Sequence, residues 1–173
     1  MSEEEAYSLW ILEDTRQQAN KHNAKHQGFE RMGVRLHRSK LAFGDYCLPP
    51  KVSVDTKKDL YELSQDLTAD HERFRRECEN AAAAGTRLIV LTENRHGVTD
   101  LESLAKWEEP LKHFEMRKRR SKNRYSQRIK GERLAKTCAT MTERYSVAFR
   151  FCKPSESHLK IIKYLKWNGG KPL

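Results

Sequence analysis

Three aspartates and one lysine carry the chemistry that this sequence can offer. Asp14 closes the apolar run Leu9-Trp10-Ile11-Leu12, just after Glu13. Asp45 follows Gly44, a residue that lets the chain turn. Asp55 and Lys57 belong to Val52-Ser53-Val54-Asp55-Thr56-Lys57, a strand by its β-branched content. Its alternation puts Val52, Val54 and Thr56 on one face and Ser53, Asp55 and Lys57 on the other, with the acid and the lysine about 7 Å apart along the strand. Such a set suits metal-assisted phosphodiester cleavage. Hard Mg²⁺ takes carboxylate oxygens and keeps several waters. It neutralises charge on the phosphate and makes a bound water more acidic. A lysine nearby can orient that water or stabilise the anionic transition state. Each piece also has an ordinary reading. Asp-x-Lys is commonly a solvated ion pair, Gly-Asp-Tyr a turn, and Asp14 a helix cap. The argument for a site is their order, each beside an expected strand.

The elements that must position these residues read as an α/β succession. A first buried strand, over 9–12, is stopped by acids. A polar helix over 17–31 ends at Gly33, and a half-exposed strand covers 34–41. A short piece at Cys47-Leu48 runs into Pro49-Pro50. The strand bearing Asp55 is followed by Leu60, Leu63 and Leu67 on one helical face. A second helix over 70–84 turns Phe74 and Cys78 inward and closes at Gly85. Leu88-Ile89-Val90-Leu91 is the next buried strand. Later, Leu134, Cys138, Met141 and Tyr145 stripe a helix, Val147 to Phe151 is strand-like, and Ser155 can cap a last helix carrying Leu159, Ile162 and Leu165. The expected fold is one α/β domain with a central mixed sheet flanked by helices. Residues 8–95 form its core, 96–130 a flexible basic insertion, and 131–167 a helix-strand-helix that completes the same domain.

Charge is distributed unevenly. The chain of 173 residues carries a net charge of +10. Between residues 112 and 130, nine basic residues face Glu115 alone, so this stretch holds most of that excess. Lys and Arg neutralise phosphates with counterion release, and the interleaved Phe114 and Tyr125 can stack on unpaired bases. Arg117, Lys118, Arg119, Arg120, Lys122 and Arg124 are therefore the candidate DNA contacts. No apolar run is long enough for a membrane span, and the acidic start Met1-Ser2-Glu3-Glu4-Glu5 is unlike a secretory leader. Cys47, Cys78, Cys138 and Cys152 never approach C-x-x-C spacing, which argues against a zinc knuckle and a disulfide scaffold. The expected setting is intracellular and reduced, in the cytoplasm, and on the nucleoid for a bacterial or phage protein. His22 and His26, spaced i, i+4 with no third ligand nearby, read as a helix face rather than a metal site. His71 and Arg73 read as a helix start. Trp10 and the Leu134/Cys138/Met141 stripe read as core, while Trp107 and Trp167 are open between packing and base stacking.

Asp14-Thr15-Arg16, Gly44-Asp45-Tyr46 and Val54-Asp55-Thr56-Lys57 together resemble the nuclease domain of XPF-type structure-specific endonucleases, within the PD-(D/E)XK nuclease superfamily. The resemblance covers about residues 8–95. Gly131-Glu132-Arg133-Leu134-Ala135-Lys136 and the elements after it look like small phage or prophage versions of the domain. The resemblance implies a restriction-endonuclease-like core and an endonuclease using Mg²⁺, with Mn²⁺ as a substitute, on branched or flapped DNA. It also implies a homodimer or a protein partner. It assigns Asp45 and Asp55 to the metal with help from Asp14, the backbone carbonyl of Thr56 as a further ligand, and Lys57 to the water or the transition state. Two positions depart from the pattern. Gln17 replaces an acid and Thr56 replaces an arginine. Those departures favour an alternative from another class, a non-catalytic DNA-binding module or nuclease partner. A third reading is a restriction-type or recombination nuclease that shares only the core.

Overall fold

The computed structural model describes residues 10–18, 23–48, 52–120 and 127–166. Six strands form one mixed sheet: β1 (Trp10–Asp14), β2 (Arg35–Ser39), β3 (Tyr46–Leu48), β4 (Val52–Lys57), β5 (Arg87–Glu93) and β6 (Ala148–Cys152). Their spatial order is β2-β1-β3-β4-β5-β6. β1 runs parallel to β2, and β4, β5 and β6 run parallel to one another. The short β3 is antiparallel to both of its neighbours, β1 and β4. Seven helices accompany the sheet among the described residues: α1 (Asn23–Arg31), α2 (Leu60–Asp66), α3 (His71–Ala83), α4 (Leu101–Lys106), α5 (Leu111–Arg120), α6 (Gly131–Tyr145) and α7 (Ser157–Leu165). The α/β domain read from the sequence is the one that forms.

Two apolar layers enclose the sheet. On one face, Leu60, Leu63, Phe74, Cys78, Leu134, Cys138 and Met141 pack on Leu88, Val90, Phe149 and Phe151. On the other, Phe29, Ile161, Ile162 and Leu165 pack on Ile11, Tyr46, Val52, Val54, Ile89 and Leu91. The odd and even residues of β5 divide between the layers, as the period of two requires. Such burial is worth about 25 cal/mol per Å² of apolar surface removed from water and is the main force fixing strand register.

Several details depart from expectation. Gln17 and Gln18 are not helical, the first helix is described over Asn23–Arg31, and the last begins at Ser157 after a 3-10 turn at Pro154–Glu156. Trp10 is not core: it is 52% exposed. It starts β1 beside the edge strand β2, on the face whose helices gather over β4, β5 and β6, and the Arg35 guanidinium covers its ring from 5.4 Å. Trp107, by contrast, is buried and packs edge-on against Tyr61. Within residues 96–130, α4 and α5 are regular helices. α4 opens on a capping box between Asp100 and Ser103. α6 crosses α4 closely at Gly131, where a Cβ would collide with the carbonyl oxygens of Leu104 and Trp107.

Candidate active site

Strand direction brings the predicted residues to one edge of the sheet. β1 and β4 end there with Asp14 and with Asp55 and Lys57, while β3, running the other way, begins there just after Asp45. The Asp14 backbone N–H donates to the Asp45 carbonyl at 2.8 Å, and the Asp45 N–H donates to the Val54 carbonyl at 2.9 Å. Gly44 makes this entry possible. It has φ +65, and a Cβ there would meet Ser53 Oγ at 2.8 Å. Asp14, Asp55 and Lys57 belong to the face covered by α2 and α3, since Ile11, Val54 and Thr56 alternate to the other, while Asp45, just ahead of β3, reaches Thr56 at the end of β4.

The carboxylates are not equivalent. Asp14 accepts from the Arg16 backbone N–H at 2.9 Å and from Arg16 Nε at 2.6 Å. Burial works against the Asp14 anion, but those hydrogen bonds and the arginine charge prevail and hold it below the usual carboxylate range. Asp45 accepts from the Thr56 N–H at 2.8 Å and from the Thr56 hydroxyl at 2.6 Å. Thr56, one of the two departures from the family pattern, thus orients Asp45. Asp55 is only 7% exposed and pairs with Lys57 Nζ at 2.7 Å. Lys57 is shared: Asp66 of α2 approaches the same Nζ at 2.5 Å. Burial pushes the Asp55 carboxyl up to about 7, Asp45 and Glu77 add to the rise, and Lys57 opposes it. Burial likewise opposes the Lys57 charge, yet Asp55 and Asp66 together keep the ammonium protonated well above its ordinary range.

Three participants were missed in the sequence. Asp66 holds Lys57 from α2 and is itself held by Arg73 at 2.8 Å, so Arg73 serves this bond rather than a phosphate. Glu77 of α3 accepts from the Gly44 N–H at 3.4 Å and lies within the field of both Asp55 and Arg16. Arg16, 63% exposed, bonds Asp14 and the Leu41 carbonyl and lies within the field of Glu77 and Asp45. Glu77 sits between the inward Phe74 and Cys78 in sequence, where an acid on a helix reads as solvated.

Among the described residues, no group of three or more His, Cys, Asp or Glu is arranged to hold a metal ion. Mg²⁺ asks for less. It is held by one or two carboxylates plus waters and substrate phosphate. The Asp45–Asp55 pair fits that requirement: both are hard oxygen donors, and Asp55, pushed up chiefly by burial and further by Asp45, is short of positive charge. Asp14 fits it poorly, since both its oxygens are taken by Arg16.

On the opposite face of the same edge, Glu13 is bonded by His26 at 2.6 Å and by the Tyr46 hydroxyl at 3.3 Å, and Lys25 pairs with Glu93 at 2.8 Å. His26 therefore serves a buried glutamate, while His22 lies outside the described residues. A cleft of about 220 Å³ opens there between Arg16, Thr56, Lys58, Glu62 and Glu93.

The basic stretch is anchored by one buried acid. Glu109, fully buried, accepts from His113 Nδ1 at 2.8 Å, from Arg117 at 2.9 and 2.7 Å and from the Ile129 N–H at 3.0 Å. Burial opposes its charge, but these donors hold its carboxyl down at about 2. Arg117 is thereby committed to the fold, whereas Lys118, Arg119 and Arg120 stay exposed at the end of α5. Lys122 and Arg124, together with Tyr125 and Trp167, lie outside the described residues.

This architecture recurs in solved structures. XPF from Aeropyrum pernix matches with a TM-score of 0.60 at 16% identity, over 95% of this chain and 64% of that one. XPF from Aeropyrum pernix in complex with DNA matches with a TM-score of 0.59 at 17% identity, over 91% of this chain and 64% of that one. The chain has an XPF-like fold. It spans 64% of the length of the XPF chains it matches. No protein-family model matches the chain, and no curated protein does. Among the described residues, no helix is long and apolar enough to cross a membrane.

Proposed function

We propose that the protein is a metal-dependent DNA endonuclease that cuts branched or flapped DNA. One observation carries this reading: Asp45, Asp55 and Lys57 meet at one edge of an XPF-like sheet, with an excess of buried negative charge that a divalent cation would relieve. Asp45 and Asp55 would hold Mg²⁺, with the Thr56 carbonyl beside them. The ion would supply charge neutralisation at the phosphate and a more acidic water. The remaining work falls to the protein. Lys57 is kept cationic by two carboxylates, so it cannot take a proton from water. It can only donate, to the attacking water or to a phosphate oxygen, and thereby stabilise the anionic transition state. Asp66 fixes the ammonium, and Arg16, braced by Asp14, offers an exposed guanidinium to the backbone of the substrate. Lys118, Arg119 and Arg120 offer further phosphate contacts.

The test is incubation of the purified protein with a labelled flap substrate, with Mg²⁺ or Mn²⁺ and with chelator. Cutting should require the cation and vanish in Asp55→Asn. Cutting that persists in chelator would sink the metal assignment. A second reading, a DNA-binding module without catalysis, is favoured by the engagement of Asp14 with Arg16 and of Asp45 with Thr56. DNA binding with no cutting under any divalent cation would establish it instead.

A further inference from the structure

A second and larger cleft, about 1130 Å³, runs between α2 and the wall made by α5, residues 127–130 and the start of α6. We propose that it is a nucleic-acid site holding an unpaired strand that leaves the sheet edge past Lys58. The proposal deepens the nuclease reading, and the direction of the strand toward Asp45 and Asp55 rests on it.

Charge is the first argument. Among the described residues, Lys58, Arg117, Arg128, Lys130 and Arg133 line the cleft against two acids, Asp59 and Glu62. Both acids are already engaged with backbone: Asp59 accepts from the Tyr61 and Glu62 N–H groups at the start of α2, and Glu62 accepts from the Lys58 N–H at 2.7 Å. Arg117 is bound to Glu109, and Arg128 donates to the Glu109 carbonyl. The described residues give Lys58, Lys130 and Arg133 no ion-pair partner, so one cation from the turn before α2 and two from the start of α6 face the cleft from its opposite walls. A polyanion threaded between them would exchange counterions for phosphates.

Shape is the second. The cleft has walls on both sides, and Tyr61 stacks on His113 in it with ring centroids 3.6 Å apart. An aromatic surface flanked by cations is how proteins hold unpaired bases without reading their sequence. A paired duplex hides its base faces and can only lie across such a cleft, touching the rim. Continuity is the third. Lys58 and Glu62 also line the smaller cleft that contains Arg16 and Thr56, so the two openings share a wall at the start of α2.

The experiment measures binding of the full chain to a short labelled oligo-dT and to a blunt duplex, in chelator so that nothing is cut. It compares wild type with the triple variant Lys58→Ala, Lys130→Ala, Arg133→Ala, after circular dichroism shows that both are folded. Single-strand affinity should fall on the order of tenfold to a hundredfold, and the slope of log K against log salt should shrink by about 2, since each lost phosphate contact on a single strand removes about 0.7. Duplex affinity should change far less. Photo-crosslinking of an iodouracil strand should map to the cleft at Tyr61 or its neighbours. Unchanged single-strand binding, an equal loss on the duplex, a crosslink elsewhere, or equal competition by polyglutamate would each overturn the proposal. Cutting is read separately on wild type. A protein that binds the strand through these three residues but cuts no DNA keeps the cleft and loses the nuclease. One that cuts a flap while the triple variant binds normally does the reverse.

Discussion

Asp55 and Glu109 are both buried carboxylates, yet the fold treats them in opposite ways. Glu109 receives donors from His113, Arg117 and Ile129, more than enough to replace water, and its pKa falls to about 2. Asp55 shares a single lysine with Asp66, faces Asp45 and Glu77, and rises to about 7. Burial is the largest influence on Asp55 and opposes the charge of Glu109 as well; the number of donors decides whether it prevails. A carboxylate with surplus donors joins parts of the chain, here α5 to residues 127–129. A carboxylate left short is a place where the fold gives up stability and gains a site that accepts positive charge.

Three substitutions can break that contrast. Asp55→Asn should slow cutting of a flap substrate a thousandfold or more, at least about 4 kcal/mol of barrier, because it removes a metal carboxylate. The same variant should melt no lower than wild type at pH 8, since it relieves a repulsion; a marked drop in Tm there would mean that Asp55 is a structural partner of Lys57. Glu109→Ala should behave in the reverse manner. It strands Arg117 and the Ile129 N–H and should cost about 3 kcal/mol of stability, near the low end for breaking a buried pair because Arg117 is part-exposed. Urea unfolding measures it, and a loss under 1 kcal/mol would remove the clasp from the argument. Lys57→Ala should cut at least about a hundredfold more slowly, roughly 2.7 kcal/mol, while binding DNA within a few-fold of wild type. Equal slowing and weakening would mean that Lys57 only binds.

The contrast also shows where sequence reasoning reached its limit. Asp14, Asp45, Asp55 and Lys57 were legible as neighbours because Asp14 ends β1, Asp45 immediately precedes β3, and a period of two sets Asp55 and Lys57 on one face in the last half of β4. The β3 reversal that brings Asp45 to that edge was signalled by Gly44. Asp66 and Glu77 were not legible. Both lie on helices, where an acid next to inward leucine or phenylalanine reads as solvated, and only the packing of α2 and α3 on the sheet turns them toward Lys57 and Gly44. Glu109 was hidden for the same reason. Its partners are up to 20 residues away, in a stretch whose charge suggested solvent rather than a clasp. Trp10 failed in the other direction: an apolar run implied burial, but among the described residues no helix covers that corner of the sheet.

The smallest effect is the most diagnostic, because it separates the two carboxylates by pH. Asp55 has a folded pKa above its ordinary value of 3.8, so between about pH 4 and 7 the folded state holds a proton that the unfolded chain has lost. Stability must then fall as pH rises through that window. Glu109 has a folded pKa below its ordinary value of 4.5, so its contribution is complete above pH 4.5 and is lost as pH falls toward 2. Wild type should thus be most stable near pH 4 to 5. The useful quantity is the difference between wild type and Asp55→Asn, taken from urea unfolding at each pH, because groups common to both cancel in it. That difference should grow in favour of the variant by about 1–2 kcal/mol between pH 4.5 and 7.5, within the 1.36 kcal/mol per pH unit that one proton allows. Millimolar Mg²⁺ or Mn²⁺ should then erase it, because a cation that binds only the folded wild type stabilises it more as Asp55 ionises. A difference that stays flat with pH would show that Lys57 satisfies Asp55 fully. A difference that grows but ignores the cation would leave Asp55 strained without a metal, and the non-catalytic reading would gain.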